Sequence, residues 1–400
     1  MLMTKERIKL IAQEIGFHAC GIAAPQSSAE AEAKLKHWTE QGKHGEMKYL
    51  ERYEKRKADF WSRFPNAKSI IVLGVNYYSS SDRHCEPATK TAGKEADLSA
   101  KYFGGRSNPR SEIASLQPNS VADPPRILVD TSVARNDVLT TGRVARYAWG
   151  RDYHQLISEK IEQFKEKLKQ EISAEIYFES AVDTKPLFER SLAQRAGLGF
   201  IGKQTQLLSL QFGPWLFLSE LITNLELEPD EPFHGSCGTC RLCIDECPTE
   251  AIEESGGIDA RKCIAYLTIE HKTEIPEEFR TQIGDHVFGC DDCLSVCPYT
   301  AKQKETNWPE LTAESGFGPE LNLSALFDLT SNREHKEQFH HSAILRANRK
   351  QLLRNAAVVL GNKADRSVLP LLRRALLTVP SMVKTHIHWA IQEIEKRNSD

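Results

Sequence analysis

The cysteines are the strongest candidates for functional residues in this 400-residue chain, since eight of the ten lie between positions 237 and 297. Cys237 begins the run C-x2-C-x2-C-x3-C-P, which ends at Pro248 and has the spacing of bacterial proteins that carry two iron–sulfur clusters. Three thiolates at this spacing can bind three irons of one [4Fe–4S] cluster. Pro248 turns the chain, so that the fourth thiolate of the run binds elsewhere.

A second group of cysteines completes the set of ligands that two such clusters need. Cys290, Cys293 and Cys297 end in a further Cys-Pro pair, and Cys263 lies alone between the two groups. A zinc site of four cysteines is the alternative, but the triple spacing and both Cys-Pro pairs favour iron–sulfur clusters. If the fourth cysteine of each run is exchanged, one cluster is bound by Cys237, Cys240, Cys243 and Cys297. The other is then bound by Cys247, Cys263, Cys290 and Cys293.

Two aspartates occupy positions where a carboxyl group could transfer protons. Asp183 follows an apolar strand and precedes Thr184-Lys185-Pro186, and burial at such a strand end can raise a carboxyl pKa and produce a general acid. The alternative for Asp183 is the N-cap of a helix that begins near Leu187, and the residues alone leave both open. Asp152, within Gly-Arg-Asp-Tyr-His, is better explained as the cap of the long helix that follows it.

A glycine-rich segment, Gly197-Leu-Gly-Phe-Ile-Gly202, matches the pattern GxGxxG. A helix is predicted before it, whereas the nicotinamide-binding fingerprint needs a strand that leads into a helix. We therefore expect no nicotinamide site here. A loop of this composition instead allows the backbone to approach a large planar or phosphate-bearing cofactor.

Composition limits the classes of protein to which the chain can belong. Lys and Arg total 52 against 55 Asp and Glu, a net charge of −3 that excludes a uniformly basic nucleic-acid-binding protein. No apolar run approaches the length of a membrane span, and the charged start has neither the apolar core of a signal peptide nor a twin-arginine pair. We therefore predict a cytoplasmic protein without a membrane partner, in which Cys20 and Cys85 are buried or incidental thiols.

Length and the periodicity of apolar residues predict an α+β protein with several domains. Residues 1–230 alternate helices and strands as an α/β domain, interrupted by an exposed insertion at 79–125. Residues 231–305 form a ferredoxin-like domain with two clusters, and residues 306–400 form a helical domain. The main elements expected in the first domain are a helix ending near Gly16, a basic helical stretch over 30–58, strands at 69–78 and 176–182, a long helix from His154 and a strand–turn–strand unit at 206–225.

The last part of the chain combines helical periodicity with positive charge. Three helices are predicted at 342–360, 366–377 and 381–396, separated by Gly361-Asn362 and by Pro380, in the manner of a HEAT-type repeat. Residues 335–400 contain twelve Lys and Arg against five Asp and Glu. Such a face is either solvated or bound to a phosphate backbone. The candidate phosphate-binding residues are Arg349, Lys350, Arg354, Arg373 and Arg374.

Five further segments, together with the first cysteine run, give the sequence a resemblance to a known family. They are RYAWGRDYH (146–154), VDTKPLFER (182–190), AQRAGLGFIGK (193–203), CIAYLTIE (263–270) and GCDDCLSVCPY (289–299). In this order they are highly specific, and the resemblance extends over nearly the whole chain. The sequence resembles the epoxyqueuosine reductase family, whose members complete queuosine in tRNA by removing an epoxide oxygen at the wobble position of the anticodon.

The resemblance implies a set of cofactors and roles. Cobalamin is expected in the N-terminal domain beside the two [4Fe–4S] clusters, with the HEAT-like C-terminal domain helping to hold tRNA. Asp183 matches the aspartate of the family's D-x-x-P motif, so the resemblance makes it the proton donor. It also implies a monomer that receives electrons from a flavodoxin- or ferredoxin-type protein. The residues expected to contact cobalamin are Arg56, Ala145, Asp183, Lys203, Thr205 and Tyr266.

The sequence departs from the family pattern in the length of the 79–125 insertion and at Lys185, and it leaves three other functions open. Lys185 replaces the alanine of the common D-x-A-P form, and a lysine beside the acid would lower its pKa unless it points away. Cobalamin-dependent reductive dehalogenation uses the same set of cofactors, although the sequence lacks the export signal usual there. A two-cluster electron carrier would leave the N-terminal domain without a role. A nucleic-acid-binding scaffold with structural clusters is the third.

Overall fold

Short strands in three sheets alternate with helices along the chain. The structure is a computed structural model that describes residues 4–80, 140–172, 175–301 and 303–397. Its strands are β1 (Ala19–Ala23), β2 (Ser69–Asn76), β3 (Thr141–Val144), β4 (Phe178–Ala181), β5 (Phe200–Ile201), β6 (Leu207–Leu208), β7 (Leu216–Thr223), β8 (His286–Phe288) and β9 (Glu320–Asn322).

The helices occur in three groups along the chain, and short 3-10 turns lie between them. Those of the N-terminal part are α1 (Lys5–Ile15), α2 (Ala29–Glu40), α3 (Tyr53–Trp61), α4 (Tyr153–Glu171) and α5 (Glu189–Arg195). Those of the cysteine-rich part are α6 (Leu242–Asp245), α7 (Ile264–Ile269), α8 (Glu277–Arg280) and α9 (Asp292–Ser295). The last are α10 (Leu323–Asp328), α11 (Asn332–Gln338), α12 (Arg349–Lys363), α13 (Leu369–Ala375) and α14 (Ser381–Arg397).

The central sheet of the N-terminal part is antiparallel, with the strand order β1–β2–β7–β4. Side chains of β2 alternate between its two faces, as the pleat of a strand requires. Ile71 and Leu73 belong to one apolar cluster with residues of α1 and α4, whereas Ile70 and Val72 belong to another with residues of α3 and α5. Helices therefore cover both faces of the sheet, which confirms the predicted mixture of helices and strands.

A second sheet joins distant parts of the chain in the order β8–β3–β9. Strand β3 pairs in parallel with β8 and antiparallel with β9. Each strand lies in a different one of the three predicted domains. One apolar cluster also includes residues of all three, from Ile8 to Ile394. The three segments therefore share a sheet and a core.

The N-terminal elements match the prediction closely, with one difference. Helix α1 ends at Ile15, and β6 and β7 form the expected strand–turn–strand unit. The predicted helical stretch at 30–58 is instead two helices, α2 and α3, because a turn containing Gly42 and Gly45 separates them. Cys20 packs against the apolar core, as expected. Beyond Ser80, the insertion predicted at 79–125 lies outside the described residues, and so does Cys85.

The C-terminal helices differ from the prediction at two points. The helix predicted from Ser342 begins only at Arg349, and Ala343–Arg346 form a short 3-10 turn instead. Helix α12 continues through Gly361-Asn362, where the sequence predicts a break. A Cβ atom at position 361 would lie 2.6 Å from the ring of Trp389 on α14, so this glycine is there because the two helices approach closely, not because the chain turns. Among the described helices, none is both long and apolar enough to cross a bilayer.

Arg354 is the clearest correction to the sequence analysis. Its side chain is 0% exposed, so it cannot bind a phosphate backbone as predicted. The guanidinium instead donates to the carbonyl oxygens of Leu267 (2.6 Å), His271 (2.8 Å) and Thr273 (2.6 Å). These carbonyls lie at the end of α7 and just after it, where a cation interacts favourably with the helix dipole. Arg354 therefore fastens α12 to the helix that follows Cys263.

We expect Arg354→Met to destabilise the protein, because it leaves buried carbonyl groups without donors. Each unsatisfied acceptor costs about 1–3 kcal/mol. Urea unfolding followed by circular dichroism measures the change in the free energy of unfolding. Arg374→Met is the matched control, since Arg374 is exposed and its substitution should change stability by only about 0.5 kcal/mol. Equal stability of the two variants would show that Arg354 does not join these helices.

Candidate active site

Asp183 lies just beyond β4, at the open edge of the central sheet. Its carboxylate oxygen Oδ2 accepts a hydrogen bond from the hydroxyl of Tyr153 at 2.8 Å, and its backbone N–H donates to Glu189 at 2.9 Å. The side chain is 60% exposed, and the backbone has φ of 55°, a left-handed conformation that only surrounding contacts sustain. Helix α5 has no side-chain cap, so Asp183 is not the helix cap that the sequence left as an alternative.

The first turn of α4 supplies the groups that surround the Asp183 carboxylate. Tyr153 is buried, and its ring stacks on Phe217 at a centroid distance of 4.1 Å. Burial and the charge of Asp183 raise the pKa of the Tyr153 hydroxyl, so this group remains a neutral hydrogen-bond donor. The Nε2 atom of His154 lies 4.0 Å from the Asp183 carboxylate, and its Nδ1 lies 2.8 Å from Asp152.

Asp152 has the structural role predicted for it, and a further one. Its carboxylate accepts the backbone N–H of His154 at 3.0 Å, which caps α4. The same oxygen contacts the His154 ring. Although burial opposes ionisation, these hydrogen bonds from His154 lower the pKa of the Asp152 carboxyl. Asp152 therefore fixes the orientation of the imidazole that faces Asp183.

Lys185, the residue that departs from the family pattern, points away from Asp183. Its ammonium group forms an ion pair with Glu179 of β4 at 2.9 Å. Within the described residues, no ion pair joins Lys185 to Asp183. Of the two arrangements that the sequence allows, the structure has the one in which the lysine does not face the acid.

The cysteine thiols lie close enough to influence one another's ionisation. Burial, followed by the charges of Cys237, Cys240 and Cys243, raises the pKa of Cys297 to about 11. Burial raises the pKa of Cys293 as well, followed by the charges of Cys263, Asp291, Cys247 and Cys243. Thiols packed this closely ionise only if cations compensate their charges, which is the chemistry of an iron–sulfur ligand set. The assignment of each ligand to a cluster stays a prediction.

Hydrogen bonds to the sulfur atoms connect the cysteine groups to the rest of the protein. The backbone N–H of Lys203 donates to Cys237 at 3.4 Å, and that of Ala251 donates to Cys247 at 3.3 Å. The imidazole of His286 lies 3.6 Å from the sulfur of Cys290. Such contacts tune the reduction potential of a bound cluster.

The glycine-rich segment leads into a hairpin that carries two of the predicted cobalamin contacts. It connects α5 to β5, the reverse of the strand-to-helix order of a nicotinamide site, so the helix predicted before it is confirmed. In the turn between β5 and β6, Lys203 donates to the carbonyl of Cys240 at 2.9 Å. Thr205 has φ of 71°, and its carbonyl accepts from Arg190 at 2.7 Å. Between them, the buried Oε1 atom of Gln204 has no hydrogen-bond partner in the structure.

The other predicted cobalamin contacts lie on three different segments of the chain. The N–H of Ala145 donates to the carbonyl of Phe288 at 2.8 Å, next to Cys290. The buried hydroxyl of Tyr266 accepts the N–H of Glu46 at 2.7 Å. Arg56 is exposed on α3. The role of these three residues toward cobalamin stays a prediction.

Three residues near Asp183 are functional candidates that sequence reasoning missed. Arg346 and Glu270 form an ion pair at 2.6 Å, and Arg346 is 57% exposed. Burial, then the charge of Glu270, raises the pKa of Tyr49, and the charge of Asp183 contributes in the same direction. Arg346 lies in the basic tail and Glu270 ends the CIAYLTIE segment, but only the fold brings both to Asp183.

The remaining basic residues predicted to bind phosphate differ in how exposed their charged groups are. Lys350 and Arg374 are exposed. Arg373 is exposed as well, although it forms an ion pair with Glu395 at 2.8 Å. Arg349 is half-buried and donates to the carbonyl of Leu329. Of the five predicted residues, Lys350, Arg373 and Arg374 thus keep an exposed charge.

Comparisons with known proteins define first the class and then the family. The family model "4Fe-4S double cluster binding domain" matches residues 236–300, so the class is that of two-cluster iron–sulfur proteins. A second model, "Epoxyqueuosine reductase QueG, DUF1730", matches residues 129–184. The epoxyqueuosine reductase of Xanthomonas campestris pv. campestris is 33% identical over 393 residues, which cover 97% of this chain and 95% of the relative. That of Escherichia coli K12 is 33% identical over 98% of this chain and 90% of the relative.

Solved structures agree with this relationship. The epoxyqueuosine reductase of Streptococcus thermophilus has a TM-score of 0.75 at 27% identity, covering 98% of this chain and 90% of that one. An epoxyqueuosine reductase solved with a tRNA-Tyr epoxyqueuosine-modified tRNA stem loop has a TM-score of 0.71 at 27% identity, covering 98% of both chains. The chain belongs to the epoxyqueuosine reductase family.

The spacing of the cysteines predicts which cluster each cysteine supports. We expect Cys297→Ala to damage the cluster of Cys237, Cys240 and Cys243, although Cys293 is its nearest neighbour in the sequence. Iron content and EPR of protein prepared without oxygen measure the loss. Cys290→Ala is the matched control, and it should damage the other cluster. If both variants lose the same EPR signal, the assignment is wrong.

Proposed function

We propose that this chain removes the epoxide oxygen of epoxyqueuosine at the wobble position of tRNA, with Asp183 as the proton donor. The observation that carries the proposal is the placement of Asp183, an exposed acid that receives a hydrogen bond from the buried Tyr153. Similarity to curated epoxyqueuosine reductases over 97–98% of the chain supports the same reaction. Opening an epoxide places negative charge on the departing oxygen, which a positioned acid can neutralise.

The arrangement of cofactors is part of the proposal. Electrons from an external donor of the flavodoxin or ferredoxin type reach the site through two [4Fe–4S] clusters held by the eight cysteines. The turn after β5, beside Cys237 and Cys240, fits a large polar cofactor, since the partnerless Gln204 oxygen and the left-handed Thr205 backbone lie there. Cobalamin, when bound, supplies the redox chemistry at the epoxide carbon. Arg56, Ala145, Lys203, Thr205 and Tyr266 are its proposed contacts.

The residues of the chain itself hold and move the proton. Tyr153 donates to one oxygen of Asp183 and thereby fixes the direction of the carboxyl group. His154, oriented by Asp152, faces the same oxygen at 4.0 Å. Lys185 is held by Glu179 and leaves the approach to the acid open. A nucleotide bound over this group excludes water, so that proton transfer is confined to the side chains.

The partner proposed for the basic tail is tRNA. A related epoxyqueuosine reductase has been solved with a modified tRNA stem loop, and single-stranded loops allow a base to enter a deep pocket. Exposed charge at Lys350, Arg373 and Arg374 can contact phosphates, and Arg346 lies closer to Asp183. We further propose that the HEAT-like tail belongs to a monomer that acts in the cytoplasm.

Asp183→Asn should retain fold, iron and cobalamin but lose turnover, because an amide cannot donate its proton usefully to an alkoxide. A positioned general acid contributes about 10²–10⁴ in rate. Conversion of an epoxyqueuosine-containing stem loop, followed by mass spectrometry, measures the effect. The control is Asp328→Asn, an exposed aspartate at the end of α10, which should react as the wild type does. A rate for Asp183→Asn above about a tenth of wild type would move the acid role to another residue.

Reversing the charge of Lys350, Arg373 and Arg374 to Glu should weaken tRNA binding and make it less sensitive to salt. Each lost phosphate contact removes about 0.7–0.9 from the slope of log affinity against log salt. Filter binding at several salt concentrations measures both quantities. The control reverses Lys34, Lys55 and Lys169, which are also exposed and change the net charge equally. Equal affinity of the two triple variants would make the tail a structural element and turn attention to Arg346.

A further inference from the structure

A buried glutamate lies within the central sheet. Glu220 lies on β7, opposite Val72 of β2 and Ala181 of β4. It is 0% exposed, and neither of its carboxylate oxygens has a hydrogen-bond partner in the structure. Its neighbours along the same face, Leu218 and Ile222, belong to the apolar cluster under α5. An ionised carboxylate is very costly in such a place, so the group favours its protonated form.

Glu220 lies beside the Asp183 loop, because it pairs with Ala181, two residues before Asp183, and faces the cluster under α5, whose first residue is a second glutamate. Glu189, the first residue of α5, is partly buried and accepts the backbone N–H of Asp183 at 2.9 Å. Burial, then the charge of Asp183, raises the pKa of Glu189 to about 8. Burial and the charges of Glu189 and Asp183 raise the pKa of Glu220 well above its usual value. The three carboxyl groups therefore interact, and the proton of one depends on the others.

The cations on the surrounding elements are engaged elsewhere in the part of the chain that the structure describes. On α5, Arg190 donates to the carbonyl of Thr205, and Arg195 donates to carbonyls of residues 24 and 26. On α3, Lys57 pairs with Glu32 at 2.7 Å. Strand β4 and its loop contribute only the Lys185–Glu179 pair. No ion pair of either Glu189 or Glu220 is therefore found among these residues.

We propose that Glu189 and Glu220 form a carboxyl pair that holds a proton beneath the Asp183 loop and returns it to Asp183 during the reaction. This inference rests on the proposed function, for which it names the source of a proton. Neither glutamate contacts the substrate in this proposal, and both act through Asp183.

The reaction consumes two protons, so Asp183 must be protonated a second time during the reaction. Converting an epoxide into an alkene breaks two carbon–oxygen bonds, releases the oxygen as water and consumes two electrons and two protons. The electrons come from the external one-electron donor through the clusters. Asp183 delivers one proton to the oxygen when the first bond breaks, and must deliver another before water leaves. With the nucleotide excluding water from the cleft, the second proton comes from the Glu189–Glu220 pair, which solvent refills after product release.

Infrared spectroscopy tests whether the pair holds a proton. In the holoenzyme without substrate at neutral pH, we expect the carbonyl stretch of a protonated, non-hydrogen-bonded carboxylic acid. This band should disappear in Glu220→Gln and persist in Glu226→Gln, whose glutamate is 83% exposed. A wild-type spectrum without the band, or a band that Glu220→Gln leaves unchanged, would overturn the proposal.

The pH dependence of stability gives a second readout that does not need activity. The pKa of Glu189 is about 8 in the folded protein, compared with 4.5 for a glutamate in the unfolded chain. The folded state therefore binds more protons than the unfolded state between these two pH values. This contribution is complete below pH 4.5 and is lost as the pH rises through 8. The Tm of wild type should therefore fall over this range more than that of Glu189→Gln. Parallel curves for the two proteins would contradict the proposal.

Single-turnover kinetics separates a proton source from a structural residue. Glu220→Leu places an apolar group in an apolar cluster and should be at least as stable as wild type. With the reduced holoenzyme and a modified stem loop, Glu220→Leu and Glu220→Gln should react at least about tenfold more slowly with unchanged substrate affinity. Wild-type rates in both would refute the pair as a proton source. If wild type itself leaves the stem loop unchanged, the proposed function fails instead.

Discussion

The parallel pairing of β3 with β8 is the contact on which the rest of the site depends. The N–H of Ala145 donates to the carbonyl of Phe288 at 2.8 Å. Strand β3 leads through the turn at Arg146–Ala148 to Tyr153 at the start of α4, and β8 is followed, after one residue, by Cys290. The residues proposed to move protons and the predicted cluster ligands are therefore fixed relative to each other by one short sheet. Gly289 permits this approach, because a Cβ atom there would lie 2.5 Å from that of Ala145.

The C-terminal helices strengthen the same region from the other side. Arg354 binds the carbonyls around the end of α7, and the amide of Asn355 donates to the carbonyls of Thr268 and Val287 at 2.7 and 2.9 Å. Val287 is the central residue of β8. The tail thus holds the helix after Cys263 and the strand before Cys290 in one network. A tail that binds RNA would therefore be in direct contact with the cysteine-rich part.

The sequence predicts the features that depend on local spacing, and misses those that depend on packing. Cysteine spacing and the motif around Asp183 are local, so both could be identified before the structure. Arg354 looks like its exposed neighbours in sequence, because only packing decides which face of α12 is buried. Gly361 has the composition of a helix break, although its role is to admit Trp389. Glu220 is visible as a charge within an apolar strand, but its lack of a partner is a property of the fold.

In the proposed reaction, the acid and the two clusters act together on a tRNA-bound epoxide. The most direct test is the reaction of wild-type protein prepared without oxygen and shown to contain a corrin and about eight irons per chain. After reduction and addition of an epoxyqueuosine-containing stem loop, mass spectrometry should show the loss of one oxygen atom from the modified base. A fully loaded protein that binds the stem loop and leaves its mass unchanged would contradict the account.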